Sequence, residues 1–499
     1  MQLSNQSNII DMNESDQHDL PINDGGYRRR LKNRHVQLIA LGGVIGSGYF
    51  LGTGEIIQQV GPSVFIAYAL GGLIVYLTMI CMGELAVAIP ISGSFITYTA
   101  AFISPTVACG VGWSYWVSWI AYVPAECIAG GIILEYFTGV NSYVWAICFG
   151  LLITYINIAN VEIFGEIEFW LASVKILALM IFVVLSGFIF FGIIHGAQPE
   201  GIIGTKFIYG EGGFFPNGGM ALLTAMVLLL VNYQGTEIIG LAAGESIDPE
   251  AMIPSAIRNV TLRILFIYIV PVFCLVLIYP WSKANIANPV FSDVLSYYGL
   301  KEAGAVISFV TVTAALSCAN SGVYGIARSL NALARGGMAP KKLALLNEHA
   351  VPQNAVIVTL LSIWLLLAIG YFFGQSKLYI ALLLVSGFTG LMAWVSICLS
   401  QINFRQLLHK AGYTVNDLRY KTPGSPYTGI LAIILMCSCL LFLLLHEDLL
   451  YMIAFMIGCI SFIVPIGIYK FSNWINGRSV QQDKKTARAT FHEIFPSRK

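Results

Sequence analysis

Two short stretches of this chain carry the residue types that could hold a small charged molecule. One is Gly42-Gly43-Val44-Ile45-Gly46-Ser47-Gly48 and the other is Asn232-Tyr233-Gln234-Gly235-Thr236-Glu237, and each lies inside an apolar run. Glycine is a poor helix former, and a helix broken in lipid leaves backbone N–H and C=O groups without partners. Such breaks persist where the freed groups line a cavity and bind something. A half-helix starting after Gly46 would aim the N–H groups of Ser47, Gly48 and Tyr49, and a positive dipole end, at a carboxylate. A half-helix ending near Tyr233 would expose carbonyls and a negative dipole end, which suit an ammonium. Together they describe an α-amino acid. The competing reading is that small residues merely let helices pack closely. One run alone would favour packing; two at matching positions favour a site.

Charged side chains fall near the same depth. Lys175 stands in Ser173-Val174-Lys175-Ile176-Leu177, an apolar stretch, where a charge costs about 2.5–3.5 kcal/mol on insertion scales. Such a lysine can exchange a proton, or its ammonium can take the place of a sodium ion. The alternative is a static salt bridge to a glutamate. Glu126 is positioned to pair with a cationic substrate, a proton or a neighbouring helix. Glu237 is placed equally well to touch substrate or to bond unwound N–H groups of its own span. Glu84 lies nearer an end, where a gating or structural ion pair with Arg328 is expected. Tyr115 and Trp119, four apart, share a helical face that would wall a cavity. The small polar run Ala315 to Gly322, which includes Ser317, would serve helix packing or line the pathway.

The elements that must position these groups are helices in a bilayer. The chain is 499 residues long, 57% hydrophobic and only 11% charged, with a mean hydropathy of +0.76. A soluble domain has roughly 25% charged residues. About twelve spans can be marked, near 36–58, 62–90, 107–138, 143–162, 166–194, 219–244, 260–281, 303–333, 353–373, 378–404, 428–446 and 449–474. The reading is therefore an all-α polytopic membrane protein. It has a cytoplasmic tail (1–35), a core of ten spans (36–404), a cytoplasmic loop (405–427), two further spans (428–474) and a second cytoplasmic tail (475–499). Residues 1–35 lack the apolar core of a cleavable signal peptide. Ten cysteines without a C-x-x-C pair read as small core residues, with no metal site expected. The net charge of +1 gives no pointer to nucleic acid.

Lysine and arginine concentrate in the tails (Arg28, Arg29, Arg30, Lys32 and Arg34 in the first) and in the even-numbered loops, where Arg258, Arg263, Lys341, Lys342, Arg405 and Lys421 were counted. This asymmetry places both termini in the cytoplasm. Spans 1–5 and 6–10 each cross an odd number of times, so the second unit lies inverted relative to the first. At 1.5 Å per residue, Gly42–Gly48, Gln234–Glu237 and Lys175 all fall about 12–21 Å deep in a core about 30 Å thick.

Several motifs resemble a known family, the amino acid permeases of the amino acid–polyamine–organocation superfamily. They are Arg34-His35 followed by Leu41 to Gly48, Gly83-Glu84-Leu85-Ala86 with Pro90 to Phe95, Gln234-Gly235-Thr236-Glu237 with Ala243-Gly244-Glu245, and Leu316-Ser317 through Asn320-Ser321-Gly322 with Tyr324. The likeness runs from about Leu31 to Trp474 and is similar to bacterial permeases for lysine and for arginine or ornithine. It implies a leucine-transporter-like 5+5 inverted repeat plus two helices, and proton-coupled uptake with no cofactor besides the proton. It also implies a carboxylate held at Ile45, Ser47 and Gly48 around Gly46, and an ammonium held at backbone from Val231 through Asn232, Tyr233 and Gln234 to Gly235. Lys175 matches a lysine standing in for a sodium site, Tyr115 and Trp119 match cavity positions, and Glu237 matches a sixth-helix glutamate. After span 7 the lysine permeases are acidic, whereas Pro280-Trp281-Ser282-Lys283 resembles permeases for arginine or for neutral and aromatic substrates.

The expectation is a secondary amino acid transporter in a bacterial inner membrane, importing substrate with a proton by alternating access. A basic amino acid is the first reading, from the negative charge of Glu126 and Glu237; a neutral or aromatic substrate, or an exchanger, is the alternative. A channel would need a ring of repeated ligands. An enzyme would need a catalytic constellation, and no H-E-x-x-H or G-x-S-x-G motif occurs.

Overall fold

The computed structural model describes residues 45–91, 93–159, 164–194, 204–210, 212–243, 249–347, 351–372, 374–446, 448–477, 484–485 and 487–498. The basic tail at 28–34, the first half of span 1 with Gly42 and Gly43, and Glu245 lie outside the described residues. Everything regular among them is helical. Span 1 is seen from its break onward, as a π-wound Gly48–Gly52 followed by Thr53–Val60. Span 2 is Val64–Ala88, span 3 Pro105–Thr138, span 4 Ser142–Ala159 and span 5 Phe164–Phe190. Span 6 is interrupted. Span 7 is built from Pro249–Arg263, a π-wound Ile264–Ile269 and Val270–Ile278. Spans 8 to 12 are Lys301–Arg335, Gln353–Ile369, Gln375–Lys410, Tyr427–Leu443 and Leu449–Ile475.

Span 3 is the axle of the bundle. Ser104 caps its start by accepting from Val107 N–H at 3.2 Å, with Pro105 in the first turn, and Gly139 in a left-handed conformation ends it. Its 34 residues reach about 51 Å, more than the bilayer core, so its ends project or the helix tilts. It packs against spans 10, 8, 4 and 12, and its inward residues are nearly all buried. Spans 4, 5, 9, 11 and 12 present their large apolar side chains outward, among them Leu151, Leu177, Leu361, Ile434 and Ile463. That is the surface expected of helices solvated by lipid tails.

One end of the bundle carries Lys341, Lys342, Arg405, Arg419 and Lys421, and is called the basic end below. Here the buried Glu84 carboxylate accepts from Arg405 Nη2 at 2.6 Å and Nε at 2.8 Å, from Gln401 at 2.8 Å and from Thr422 N–H. The expected partner, Arg328, instead has its guanidinium 3.5 Å over the Tyr324 ring. The reason is packing: span 2 runs along span 10, and the span 10 helix continues to Lys410, which carries Arg405 to the glutamate.

The end of the chain is docked as well. Phe491 is buried with its ring 5.9 Å from Phe102 and 6.0 Å from Phe404. Arg488 donates to Ala101 O, and Arg498 N–H donates to Ala411 O.

Span 7 begins earlier than the hydropathy pattern suggests. Its first turns, Pro249 to Arg258, are polar enough to read as loop, yet the helix already runs through them. Arg263, counted from sequence as a loop charge, is therefore 14 residues inside a helix, about 21 Å along it. It is 1% exposed.

Candidate functional site

The described part of the first glycine-rich stretch meets the second where the helix of span 6 is interrupted. Ile45 and Gly46 are not helical, and helix begins at Ser47. In span 6 the chain passes from Met226–Leu230 through a tight turn at Val231–Tyr233, becomes extended at Gln234, and takes φ +93° at Gly235 before helix resumes at Ile238. That positive φ requires glycine. The segment between the two half-helices is held by short turn bonds such as Gln234 N–H to Val231 O and Ile238 N–H to Gly235 O, together with side chains.

The N–H of Ser47 donates to both carboxylate oxygens of Glu126, at 3.1 and 2.8 Å. The Glu126 Oε1 atom fills the space a side chain at Gly46 would need, and Tyr122 Oη lies 2.8 Å from the same point. Thus a carboxylate, one of the protein's own, sits at the helix start. A methyl group added at Gly48 would come within 2.6 Å of Asn232 Oδ1 and 3.4 Å of Tyr122 Oη. Asn232 Nδ2 donates to Tyr68 Oη at 2.7 Å, whereas Asn232 Oδ1 is a buried acceptor with no partner. Trp119 Nε1 and Ser321 Oγ are also buried without partners, and Tyr122 Oη stands beside the Glu126 carboxylate. Orphaned buried polar atoms are rare and call for an explanation. Asn232 Oδ1 is the one that lies beside the helix start.

The carbonyls of the span 6 break already accept hydrogen bonds. Val231 O takes Gln234 N–H, Asn232 O takes the Tyr268 hydroxyl at 2.8 Å, and Tyr233 O takes both the hydroxyl of Thr236 at 2.7 Å and its N–H at 3.4 Å. The expectation of idle carbonyls needs that correction, though the oxygens of Val231 and Asn232 each keep a second lone pair. The Gln234 amide is held against Ser386, donating to its carbonyl and accepting its hydroxyl, both at 2.8 Å.

Glu237 also differs from the direct substrate contact considered from sequence. Its carboxylate accepts from Gly235 N–H at 3.1 Å, Tyr115 Oη at 2.9 Å and Trp394 Nε1 at 3.0 Å. The glutamate bridges the break of its own span to spans 3 and 10, and Tyr115 is its support rather than a cavity wall. Arg263 Nη2 donates to Thr236 Oγ1 at 2.6 Å, while its Nε and Nη1 have no partner.

Lys175 is fully buried, and its ammonium donates to Ser317 Oγ at 2.7 Å, so two residues 142 apart in sequence meet. Trp119 lies against the backbone of Gly322 in span 8, where any side chain would strike its ring. Asn320 accepts from Asn157 of span 4 at 2.7 Å. The polar run of span 8 is thus partly packing (Asn320, Gly322) and partly a contact with the lysine (Ser317).

Sequence reasoning missed Arg263, Asn232 Oδ1 as an unmatched acceptor, and the tyrosine cluster Tyr49, Tyr68, Tyr233 and Tyr268, whose ring centroids lie 4.4 to 6.3 Å apart. A charge in a long apolar run is the same signal that drew attention to Lys175; Arg263 lies inside the span marked near 260–281, but its place three residues from that start let it read as a loop charge. Ile45, Ser47, Tyr115, Trp119, Lys175, Val231 to Gln234, Glu237 and Ser317 are all between 0 and 4% exposed. The site residues are thus buried within the bundle.

A sequence profile of the family described as amino acid permease matches residues 35–484. The amino-acid permease RocC of Bacillus subtilis (strain 168) is 38% identical over 427 residues, covering 84% of this chain and 90% of that one. The lysine-specific permease LysP of Escherichia coli (strain K12) is 36% identical over 421 residues, covering 82% and 85%. A putative histidine permease of Bacillus subtilis (strain 168) is 37% identical over 415 residues, covering 82% and 86%. Among solved structures, a mutant of the Eremococcus coleocola manganese transporter superposes with a TM-score of 0.55 at 13% identity, covering 91% of this chain and 95% of that one. That likeness concerns the fold, which is the leucine-transporter-like arrangement of ten helices and two more.

Proposed function

Because this chain belongs to the amino acid permease family, whose members are multi-pass membrane transporters rather than enzymes, we propose that it imports an α-amino acid together with a proton by alternating access. The observation that carries the substrate class is the pairing at the two breaks. Ser47 N–H, at a helix start, holds a carboxylate, and beside it the buried Asn232 Oδ1 has no donor. A zwitterion supplies both missing groups: its carboxylate takes the helix start, and its ammonium takes Asn232 Oδ1 with the second lone pairs of the Val231 and Asn232 carbonyls.

The proton is assigned to Lys175. Lys175 is a fully buried cation within the bundle, and its bond to Ser317 ties any change at the lysine to span 8. Cytoplasmic placement of both termini is supported by the loop charges, and a bacterial inner membrane by the bacterial relatives.

A basic amino acid is the first reading for the side chain, supported by the lysine-specific relative. A neutral or aromatic amino acid is the second, and one observation favours it. Arg263 adds a buried positive charge at the span 6 break, so that with Lys175 it balances Glu126 and Glu237.

The test is a thermal-shift panel of the twenty amino acids on purified protein, followed by uptake into proteoliposomes with an imposed pH gradient. A shift with one class of amino acid and gradient-driven accumulation support the proposal. No shift with any amino acid rejects the substrate class; efflux only against external substrate, insensitive to the gradient, makes the protein an exchanger.

A further inference from the structure

The donor best placed for a substrate carboxylate is already taken. Ser47 N–H is shared between the two oxygens of Glu126, and an N–H offers one proton. Oε1 moreover sits in the space opened by the missing side chain of Gly46, which is where an incoming carboxylate would approach. Two carboxylates cannot share that space and that single donor, because like charges at contact in a buried setting repel strongly.

We propose that Glu126 is a built-in occupant of the carboxylate position, which each incoming amino acid must expel. This rests on the amino acid reading above and adds a displacement step to it. The side chain has a place to go. Tyr122, one turn earlier on the same helix, has its hydroxyl 2.8 Å from the Gly46 position and already beside the Glu126 carboxylate. Rotation of Glu126 away from Ser47 would exchange the backbone donor for a closer bond to the Tyr122 hydroxyl, so both states of the carboxylate are hydrogen-bonded. In the substrate-free protein the glutamate keeps the helix start from standing open with unmatched donors. The exchange also sets selectivity: a molecule with an ammonium but no carboxylate cannot displace Glu126. The cost of expulsion lowers the apparent affinity of every substrate by the same factor.

The test uses the full chain in lipid nanodiscs, with L-lysine and L-leucine as probes and lysinamide and leucinamide as their counterparts lacking a carboxylate. Calorimetry or thermal shift gives each dissociation constant. In Glu126→Ala, whichever amino acid binds the unaltered protein is expected to bind about tenfold tighter or more, and the amides are expected to show no such gain. Tyr122→Phe is expected to weaken binding several-fold when Glu126 is present and to have no effect in the Glu126→Ala background. That second comparison stands even if Glu126→Ala alone is poorly folded, because Glu126→Gln can replace it as the background. Equal or weaker amino acid binding in both Glu126 variants, or a Tyr122→Phe effect independent of Glu126, overturns the proposal while leaving the amino acid reading intact. Absence of binding by all twenty amino acids to every variant overturns both.

Discussion

Glu237 accepts three hydrogen bonds from three different spans, at Gly235, Tyr115 and Trp394. Charge-assisted bonds of this kind are worth about 1.5–3 kcal/mol each. Glu237→Gln is therefore expected to lower the unfolding midpoint and to reduce lysine and leucine transport by the same factor. A selective loss of lysine would show instead that the carboxylate meets the substrate side chain. Lys175→Ala is expected to leave substrate binding measurable while removing its dependence on the pH gradient; unchanged gradient dependence would take the coupling role from this residue. At this scale the sequence made depth legible and hid partners. Lys175, Glu126 and Glu237 could be placed near the midplane by counting residues from the ends of their helices. That Glu126 meets Ser47, 79 residues away, and that Glu237 meets Trp394, 157 away, depends on helix packing. No local pattern encodes it.

The interruption of span 6 was legible because Gly235 conflicts with a continuous helix, whereas span 1 is described only from Ile45 onward. Gly48→Leu is expected to abolish amino acid binding while leaving membrane insertion intact, because its side chain would press on Asn232 and Tyr122; unaltered binding would move the site elsewhere. The start of span 7 was not legible, since hydropathy marks where a helix enters lipid and not where it begins. Pro249 to Arg258 is helix ahead of the long apolar run, and Arg263, near the marked start at 260, read as a loop charge although it lies well inside the helix.

The short helix Val290–Tyr297 between spans 7 and 8 carries Asp293, whose carboxyl is pushed by burial from its ordinary 3.8 to about 6. The native state then holds a proton that the unfolded chain releases over that interval. Asp293 thus contributes stability at low pH that is lost as pH rises through about 6. Asp293→Asn is expected to flatten the fall in unfolding midpoint across this range, and an unchanged pH profile would contradict that assignment.

At the scale of the molecule, the proposed alternating access would require the basic end to open, and that end is fastened. Glu84 joins span 2 to span 10 and to the loop at Thr422, while the docked segment around Phe491 covers Phe102 and Phe404. Arg405→Ala leaves Glu84 buried and partly unpaired, a loss of about 3–5 kcal/mol for a buried pair. A drop of that size in thermal stability is expected, smaller in the double variant with Glu84→Gln; equal losses in the two would mean that the pair is not coupled. The twelve-span plan was legible from hydropathy and loop charge together. The choice of Arg405 over Arg328 was not, because both arginines sit near the same end and only the packing of span 2 on span 10 separates them.

The central claim is that main-chain and amide groups at the two interrupted spans hold a zwitterion. A density map of the protein with its bound amino acid tests it most directly. The account predicts the ligand carboxylate on Ser47 N–H, its ammonium against Asn232 Oδ1, and Glu126 turned toward Tyr122. Ligand density away from both breaks, with Glu126 still seated on Ser47, or span 1 running as an unbroken rod through Gly46, would contradict it.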